Sequence, residues 1–448
     1  MQQADQGLIK GCIWKQMVLF AIPILIGNMF QQFYNVADTL IVGKMLDKNA
    51  LAAVSSSGAL IFMMVGFFNG IAMGAGVVIS KYFGAKDYKS MRKAIHTNLA
   101  FGVIAGIVLT IAGVILTPQI LRWMKTPESV LPKSIEYFRI YFMGVTATLL
   151  YNICVGILQA VGDSKHPLYY LIVSSICNVV LDLLLVGVFK FGVGAAALAT
   201  TISQFLSVIL CLYRLIHYDT VYRVEIKQLK VEKKMLNQIL RLGLPSGVQN
   251  SIIAFANIIV QSNINSFGEN AVAGCGSYSK IEGFAFLPIT CFSMALMTFV
   301  GQNLGAKQYE RTKKGARFGI LCSIIMAEIV GGIIYIFAPM LIRIFSKNQA
   351  VISYGVLQSR TEALFYFLLA FAHCIAGIMR GAGKATVPMM VMLITWCGIR
   401  ITYITVALRF VREIYMIFWA YPLTWGLSSI IFYIYYKKVD WLHAFERK

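Results

Sequence analysis

Apolar runs of about 20 residues recur from one end of this chain to the other, each long enough to cross a hydrocarbon layer of about 30 Å. In hydrocarbon every backbone N–H and C=O must find a protein partner, so a spanning segment is either a helix or a strand of a closed barrel. Continuous apolar stretches, as opposed to alternating ones, select the helix. The runs fall at 14–42, 51–80, 94–117, 136–160, 167–188, 193–216, 237–265, 271–302, 316–340, 352–379, 386–408 and 413–436, twelve in all. Those at 136 and 352 begin among polar residues. The expected fold is all-α and integral to a membrane. Composition agrees: 58% of the 448 residues are hydrophobic and 13% are charged, against about 25% charged in a soluble domain. The first run is long and lacks a small-residue cleavage site, so no cleaved leader is expected.

The formal charge of +21 would fit a nucleic-acid partner if it were clustered, but it is distributed by side. Of 40 Lys and Arg, 26 fall on the N-terminus, loops 2–3, 4–5, 6–7, 8–9, 10–11 and the C-terminus, and 10 on the alternate loops. This bias predicts both termini on the cytoplasmic face. The basic loops then need only water and anionic headgroups as partners, and no nucleic acid is expected. None of the nine cysteines forms a C-x-x-C pair and most lie within apolar runs, so neither a disulfide framework nor a zinc site is expected.

The sequence also repeats itself. Pro23, Asn28 and Asn35 recur as Pro245, Asn250 and Asn257, Gly84-Ala85-Lys86 with Tyr88 recurs as Gly305-Ala306-Lys307 with Tyr309, and Gly162 with Pro167 recurs as Gly383 with Pro388. Three anchors at nearly constant offset mark a duplication. Six runs per half is an even number, so both halves enter the membrane in the same sense, as in parallel-repeat transporters. The expected organisation is an N-lobe at 1–218, a cytoplasmic linker at 219–236 and a C-lobe at 237–448.

Enzyme chemistry finds no footing. The glycines around Gly377 to Lys384 are spaced one residue too far apart for a phosphate loop and follow a membrane run. The glycines at Gly192 and Gly194 open a run with no strand before it, which fits close helix packing. Five histidines form no H-E-x-x-H, no triad is recognisable, and no cofactor is expected.

Ionisable residues within membrane runs are costly and are functional candidates by default. Gln31, Tyr34, Asn35 and Asp38 share one face of a helix. Asn178 and Asp182 stand four apart in a strongly apolar run. Two carboxylates with amide and hydroxyl neighbours suit capture of H⁺ or Na⁺. Glu282 has Lys280 two residues away as a candidate partner, and a cavity role is the alternative. Glu362 adjoins Arg360 near a run start, Glu328 is placed to anchor a helix contact, and Arg400 lies deep in its run with no evident partner. Pro23 and Pro245 bend the first helix of each half and are candidate hinges. Adaptable Met and flat aromatic rings suit a chamber for varied apolar cations.

Taken together, Pro23 with Asp38, Gly84-Ala85-Lys86, Gly301-Gln302-Asn303-Leu304-Gly305-Ala306, Leu158-Gln159-Ala160-Val161-Gly162-Asp163 and the run from Gly194 to Gln204 resemble the multidrug and toxic compound extrusion (MATE) family, across essentially the whole chain. The resemblance implies twelve spans in two lobes and efflux of drugs or organic cations by a monomer in a prokaryotic inner membrane, coupled to H⁺ or Na⁺. In the prokaryotic branch with an N-lobe cation site, it places that site on Asp38, Asn178, Asp182 and Thr200, with Gln31, Tyr34 and Asn152 nearby. Another branch uses carboxylates on spans 7 and 10. This chain has Ala254-Phe255 and Leu368-Leu369 there, so the resemblance implies no such C-lobe site.

The expected mechanism is antiport by alternating access, with ion binding at Asp38 and Asp182 reshaping the first span near Pro23. A lipid-linked oligosaccharide flippase of the same superfamily is the main rival. It would need cavity cations, for which only Arg139, Lys280, Arg360 and Arg400 qualify. An uncoupled channel is the second rival, and the duplicated halves and buried carboxylates argue against it.

Overall fold

The computed structural model describes residues 7–45, 48–123 and 126–446, with side chains described except at 37–40 and 42–63. Fifteen α-helices follow in order: α1 (Ile13–Met45), α2 (Lys48–Gly84), α3 (Tyr88–Trp123), α4 (Leu131–Met143), α5 (Val145–Ala160), α6 (Lys165–Asp182), α7 (Val193–His217), α8 (Lys233–Asn265), α9 (Glu269–Gly305), α10 (Tyr309–Arg343), α11 (Gln349–Glu362), α12 (Tyr366–Gly381), α13 (Thr386–Met392), α14 (Arg400–Phe410) and α15 (Tyr415–Lys438). Among the described residues eleven spans are long and apolar enough to cross a membrane, and α4 with α5 makes a twelfth, bent by 44°.

The two runs that begin among polar residues are both broken. Gly144 separates α4 from α5, and a 3₁₀ turn at Ala363–Phe365 separates α11 from α12. Two further spans carry a π-helical turn, at Leu183–Val188 after α6 and at Leu393–Ile399 before α14. Such turns loosen the i→i−4 ladder and are frequent at functional sites.

The duplication is written in the backbone. Gly84-Ala85-Lys86 and Gly305-Ala306-Lys307 end α2 and α9 in the same way, with Lys86 at φ 57° and Lys307 at φ 56°. Gly162 at φ 94° and Gly383 at φ 77° likewise hold matching turns after α5 and α12. A left-handed residue at these exits redirects the chain and caps the last carbonyls.

Contacts divide the chain into two compact units. The first contains Ile26–Gly247, and the second contains Leu8–Leu25 with Val248–Lys448. The beginning of α1 thus belongs to the second unit and the beginning of α8 to the first. Each change of unit comes just after a proline, Pro23 or Pro245.

Within each unit the usual hydrophobic order is inverted. On α3, Ile104, Val108, Ile111 and Ile115 are more than half exposed, while Gly102, Gly106 and Gly113 face inward. On α10, Ile325, Ile329, Ile333 and Ile336 are exposed, while Gly315, Gly319 and Gly331 are buried. Large apolar groups face hydrocarbon at no cost, and small ones let helices approach closely. At Gly377 an added Cβ would stand 2.4 Å from the Ser293 carbonyl oxygen, whereas at Gly332 it would meet nothing within 4 Å. Gly377→Ala should therefore cost about 1–3 kcal/mol through overpacking against rigid backbone. Gly332→Ala should leave the melting temperature in detergent at or slightly above the wild-type value, since alanine is the better helix former. Equal melting temperatures for both variants would contradict the packing described here.

Candidate functional site

In the first unit α6 ends on Asp182, and the π turn begins on the next residue. Asn178 and Asp182 share a helical face and are both buried. Thr200, half-buried on α7, brings its hydroxyl within 3.5 Å of the Asn178 side-chain amide, which donates to it. The same hydroxyl donates to the Ala196 carbonyl at 3.1 Å. The Asn178 side-chain oxygen has no partner among the described residues. A buried amide oxygen on the same helical face as a carboxylate, with a hydroxyl at the amide nitrogen, supplies hard oxygen ligands of the kind that H⁺ or Na⁺ takes.

The structure therefore brings Asn178 and Thr200 together, with Asp182 buried one turn further along the Asn178 face of α6. Asp38 lies on α1, but its side chain falls outside the described residues. Gln31 and Asn35 are exposed and Tyr34 is half-buried on α1, with Tyr34 near Tyr141 and Tyr151. Asn152 on α5 donates to the Thr148 carbonyl at 2.9 Å. It also borders a small cavity of about 20 Å³ with Phe68, Tyr141 and Thr148. That is room for about one water molecule. Pro23 is buried and Pro245 half-buried, each inside a continuous helix. Among the described residues no three His, Cys, Asp or Glu side chains gather as a metal site.

The second unit holds a polar cluster that pairwise sequence reading did not assemble. Glu362 is buried and bonds inward, not to Arg360 as its neighbourhood in sequence suggests. It accepts from the Gln358 amide at 2.9 Å and from the Tyr278 hydroxyl at 3.2 Å. Arg360 instead lies over the Tyr335 ring. Lys280 is not the partner of Glu282 either: its amine lies over Phe345 at 5.4 Å. The Glu282 side chain is hydrogen-bonded to Glu362. Arg400, directly after the second π turn, donates to the Thr424 hydroxyl at 3.2 and 2.8 Å and sits 4.2 Å from the Tyr421 ring. Glu328 accepts from the Phe367 backbone N–H at 2.8 Å, fixing the start of α12. The i,i+4 pairs Tyr278/Glu282 and Gln358/Glu362 were the available signal. What lay beyond reach was that the two pairs meet.

Outside the spans, the turn after α5 carries a compact ion cluster. The Asp163 carboxylate bonds to the His166 ring nitrogen at 2.7 Å and to the Arg214 guanidinium at 3.1 Å. Burial pushes the Asp163 carboxyl up, but its hydrogen bonds with His166 and the charge of Arg214 outweigh this and hold it below the ordinary value of 3.8.

With that geometry in place, comparison with known proteins defines the class. The MatE family model matches residues 23–184 and again residues 245–406, one copy per repeat and in the register of Pro23 and Pro245. The chain belongs to this family, whose members are transporters and not enzymes. "Probable multidrug resistance protein YoeA" of Bacillus subtilis is 31% identical over 441 residues, covering 96% of this chain and 95% of that protein. "Probable multidrug resistance protein NorM" of Thermotoga maritima is 27% identical over 86% of this chain and 83% of that protein. The solved outward-facing structure of a MATE transporter of the MOP superfamily shares the fold, with a TM-score of 0.92 at 22% identity over 98% of each chain.

The Asp163 cluster makes a prediction about stability. Asp163→Asn should lower stability by about 1–3 kcal/mol, because Arg214 is left partly buried without its carboxylate. A carboxyl whose folded value is depressed stabilises fully above its unfolded value and loses that contribution as pH falls through the folded one. The gap between wild type and variant should thus be constant at neutral pH and close only below about pH 4. Thermal unfolding in detergent at a series of pH values reads this directly, and a gap already closed at pH 6 would contradict it.

Proposed function

We propose that this transporter is a secondary active multidrug exporter that exchanges cationic or amphipathic small molecules for H⁺ or Na⁺ by alternating access. The observation that carries the reading is the pair Asn178 and Asp182, buried on one face of a span just before a π turn, with the Thr200 hydroxyl at the Asn178 amide. An ionisable side chain inside a membrane span is a functional candidate by default, since it costs roughly 2.5–3.5 kcal/mol on insertion scales. The coupling ion binds Asp182 and Asp38, with Asn178 and Thr200 supplying neutral oxygens. The multidrug substrates named for the Bacillus and Thermotoga relatives support the substrate class. Gln31, Tyr34, Asn35 and Asn152 line the route, and Pro23 and Pro245 are the bends at which the first helix of each repeat changes its course. The chain works as a monomer in a prokaryotic inner membrane, and the bias of its loop charges supports cytoplasmic termini.

The ion acts by binding one conformation better than the other, since a ligand shifts an equilibrium only through differential affinity. In proteoliposomes loaded with a cationic dye, pH and Na⁺ gradients imposed separately should identify the coupling ion. Asp38→Asn and Asp182→Asn should each abolish the gradient-driven component of efflux. Full retained coupling in both variants would remove the first unit from the mechanism.

A further inference from the structure

We propose that Glu282 and Glu362 form a second proton-binding site, a carboxyl pair that holds one shared proton inside the second unit. The pair lies apart from Asn178, Asp182 and Thr200 in sequence and in unit. It also avoids the positions on spans 7 and 10 where this chain carries Ala254-Phe255 and Leu368-Leu369. The inference does not depend on the N-terminal coupling site.

The geometry requires a proton. Two carboxyl side chains in hydrogen-bond contact cannot both be ionised there, because a carboxylate only accepts and one of the two must donate. Glu362 accepts two further hydrogen bonds, from Gln358 at one oxygen and from Tyr278 at the other. Tyr278 and Tyr366 are linked hydroxyl to hydroxyl at 2.8 Å, which extends the network onto α12. All of Tyr278, Tyr366 and Glu362 are buried.

The charge balance points the same way. Among the described residues Arg400 is the one basic side chain whose field reaches both carboxyls. Its donors go to Thr424 and its face to Tyr421 and Trp396, so it acts through space. One guanidinium, one carboxylate and one neutral carboxyl sum to zero. Removing the proton leaves a net negative charge in the bundle, and adding a second leaves a net positive one, each with its own desolvation cost. The other titratable groups facing the pair are Tyr278, Tyr366 and Tyr421 and the thiol of Cys275, and Cys397 lies beside Arg400. None of these is cationic. The site suits a proton over Na⁺ because the carboxyls already contact each other and the neighbouring guanidinium repels a metal cation.

Because the proton is shared, the two residues titrate as a unit. Replacing either one by glutamine leaves a single carboxylate facing Arg400, with no acidic neighbour to keep it protonated. Each single substitution should therefore eliminate the proton completely, a result that a merely structural role for either residue would not give. The experiment is pH-difference infrared spectroscopy on the full-length protein in nanodiscs, in an Asp38→Asn, Asp182→Asn background that silences the first unit. That background should show a protonated-carboxyl band that titrates with pH and is indifferent to added NaCl. Glu362→Gln and Glu282→Gln should each lose it, while Glu362→Asp, which keeps a carboxyl, should retain it shifted. Should Glu362→Gln fail to fold, Glu282→Gln, at a half-buried position, decides alone. Persistence of the band in Glu282→Gln overturns the shared proton, and its removal by NaCl at constant pH assigns the pair to a metal cation instead. The readout needs no transport, so failure of the proposed coupling mechanism would leave it intact.

Discussion

A lipid interior offers a polar group nothing to bond with, and every architectural feature of this chain answers to that fact. The backbone satisfies itself within fifteen helices, and where the ladder is interrupted the interruption is short: a bend at Gly144, a 3₁₀ turn at Ala363–Phe365, and two π turns. Because hydrocarbon wets isoleucine as readily as another helix does, apolar area drives no association here. Helices hold together through contact distance instead, which is why glycines line the inward faces of α3 and α10 and isoleucines the outward ones.

The same constraint explains where side-chain charge is allowed. Each unit sets one buried ionisable residue directly against a π turn: Asp182 precedes the first and Arg400 follows the second. A wound-out turn gives such a residue room to reach a neighbouring helix, and Arg400 uses it to reach Thr424 on α15. Yet the duplicated halves are not chemically equivalent. At the repeat offset Asp38 corresponds to Val260 and Asp182 to Tyr403, and both of these sit in an apolar cluster of the second unit. That unit carries its acids on α9 and α11, at positions with no acidic counterpart in the first: Glu282 corresponds to Ile61 and Glu362 to Tyr141.

Span number, helical class, duplication and the coincidence of Asn178 with Asp182 were all legible from the sequence, because they depend on local periodicity and on identity at a fixed offset. Thr200 came through resemblance, and the structure places its hydroxyl at the Asn178 amide. The breaks at Gly144 and Ala363 announced themselves only as polar residues near 136 and 352. Reading nearest neighbours misled at Glu362 and Glu282, whose sequence-adjacent cations Arg360 and Lys280 turn to aromatic rings instead. The reason is geometric: on a helix, residues two apart point about 200° away from each other, so adjacency in sequence is weak evidence for an ion pair. The true partners lie on other helices, and hydropathy carries no record of them.

Outside the membrane the repeat keeps a closure while exchanging its chemistry. Gly162 and Gly383 turn the chain in the same way, and the next residue is Asp163 in one unit and Lys384 in the other. Arg214, late in α7, corresponds to Tyr435, late in α15. In the first unit the turn is tied to the closing helix by an ion pair, Asp163 with Arg214 at 3.1 Å. In the second the same two positions meet as a cation over a ring, Lys384 above Tyr435 at 5.9 Å. Reversing the sign of the turn residue would leave two like charges had the helix position not changed as well. Water beyond the headgroups makes either solution inexpensive, whereas in the spans a similar exchange would strand a charge. The two halves could therefore diverge freely at their exposed turns, while inside the membrane each new polar residue had to arrive with partners already in reach.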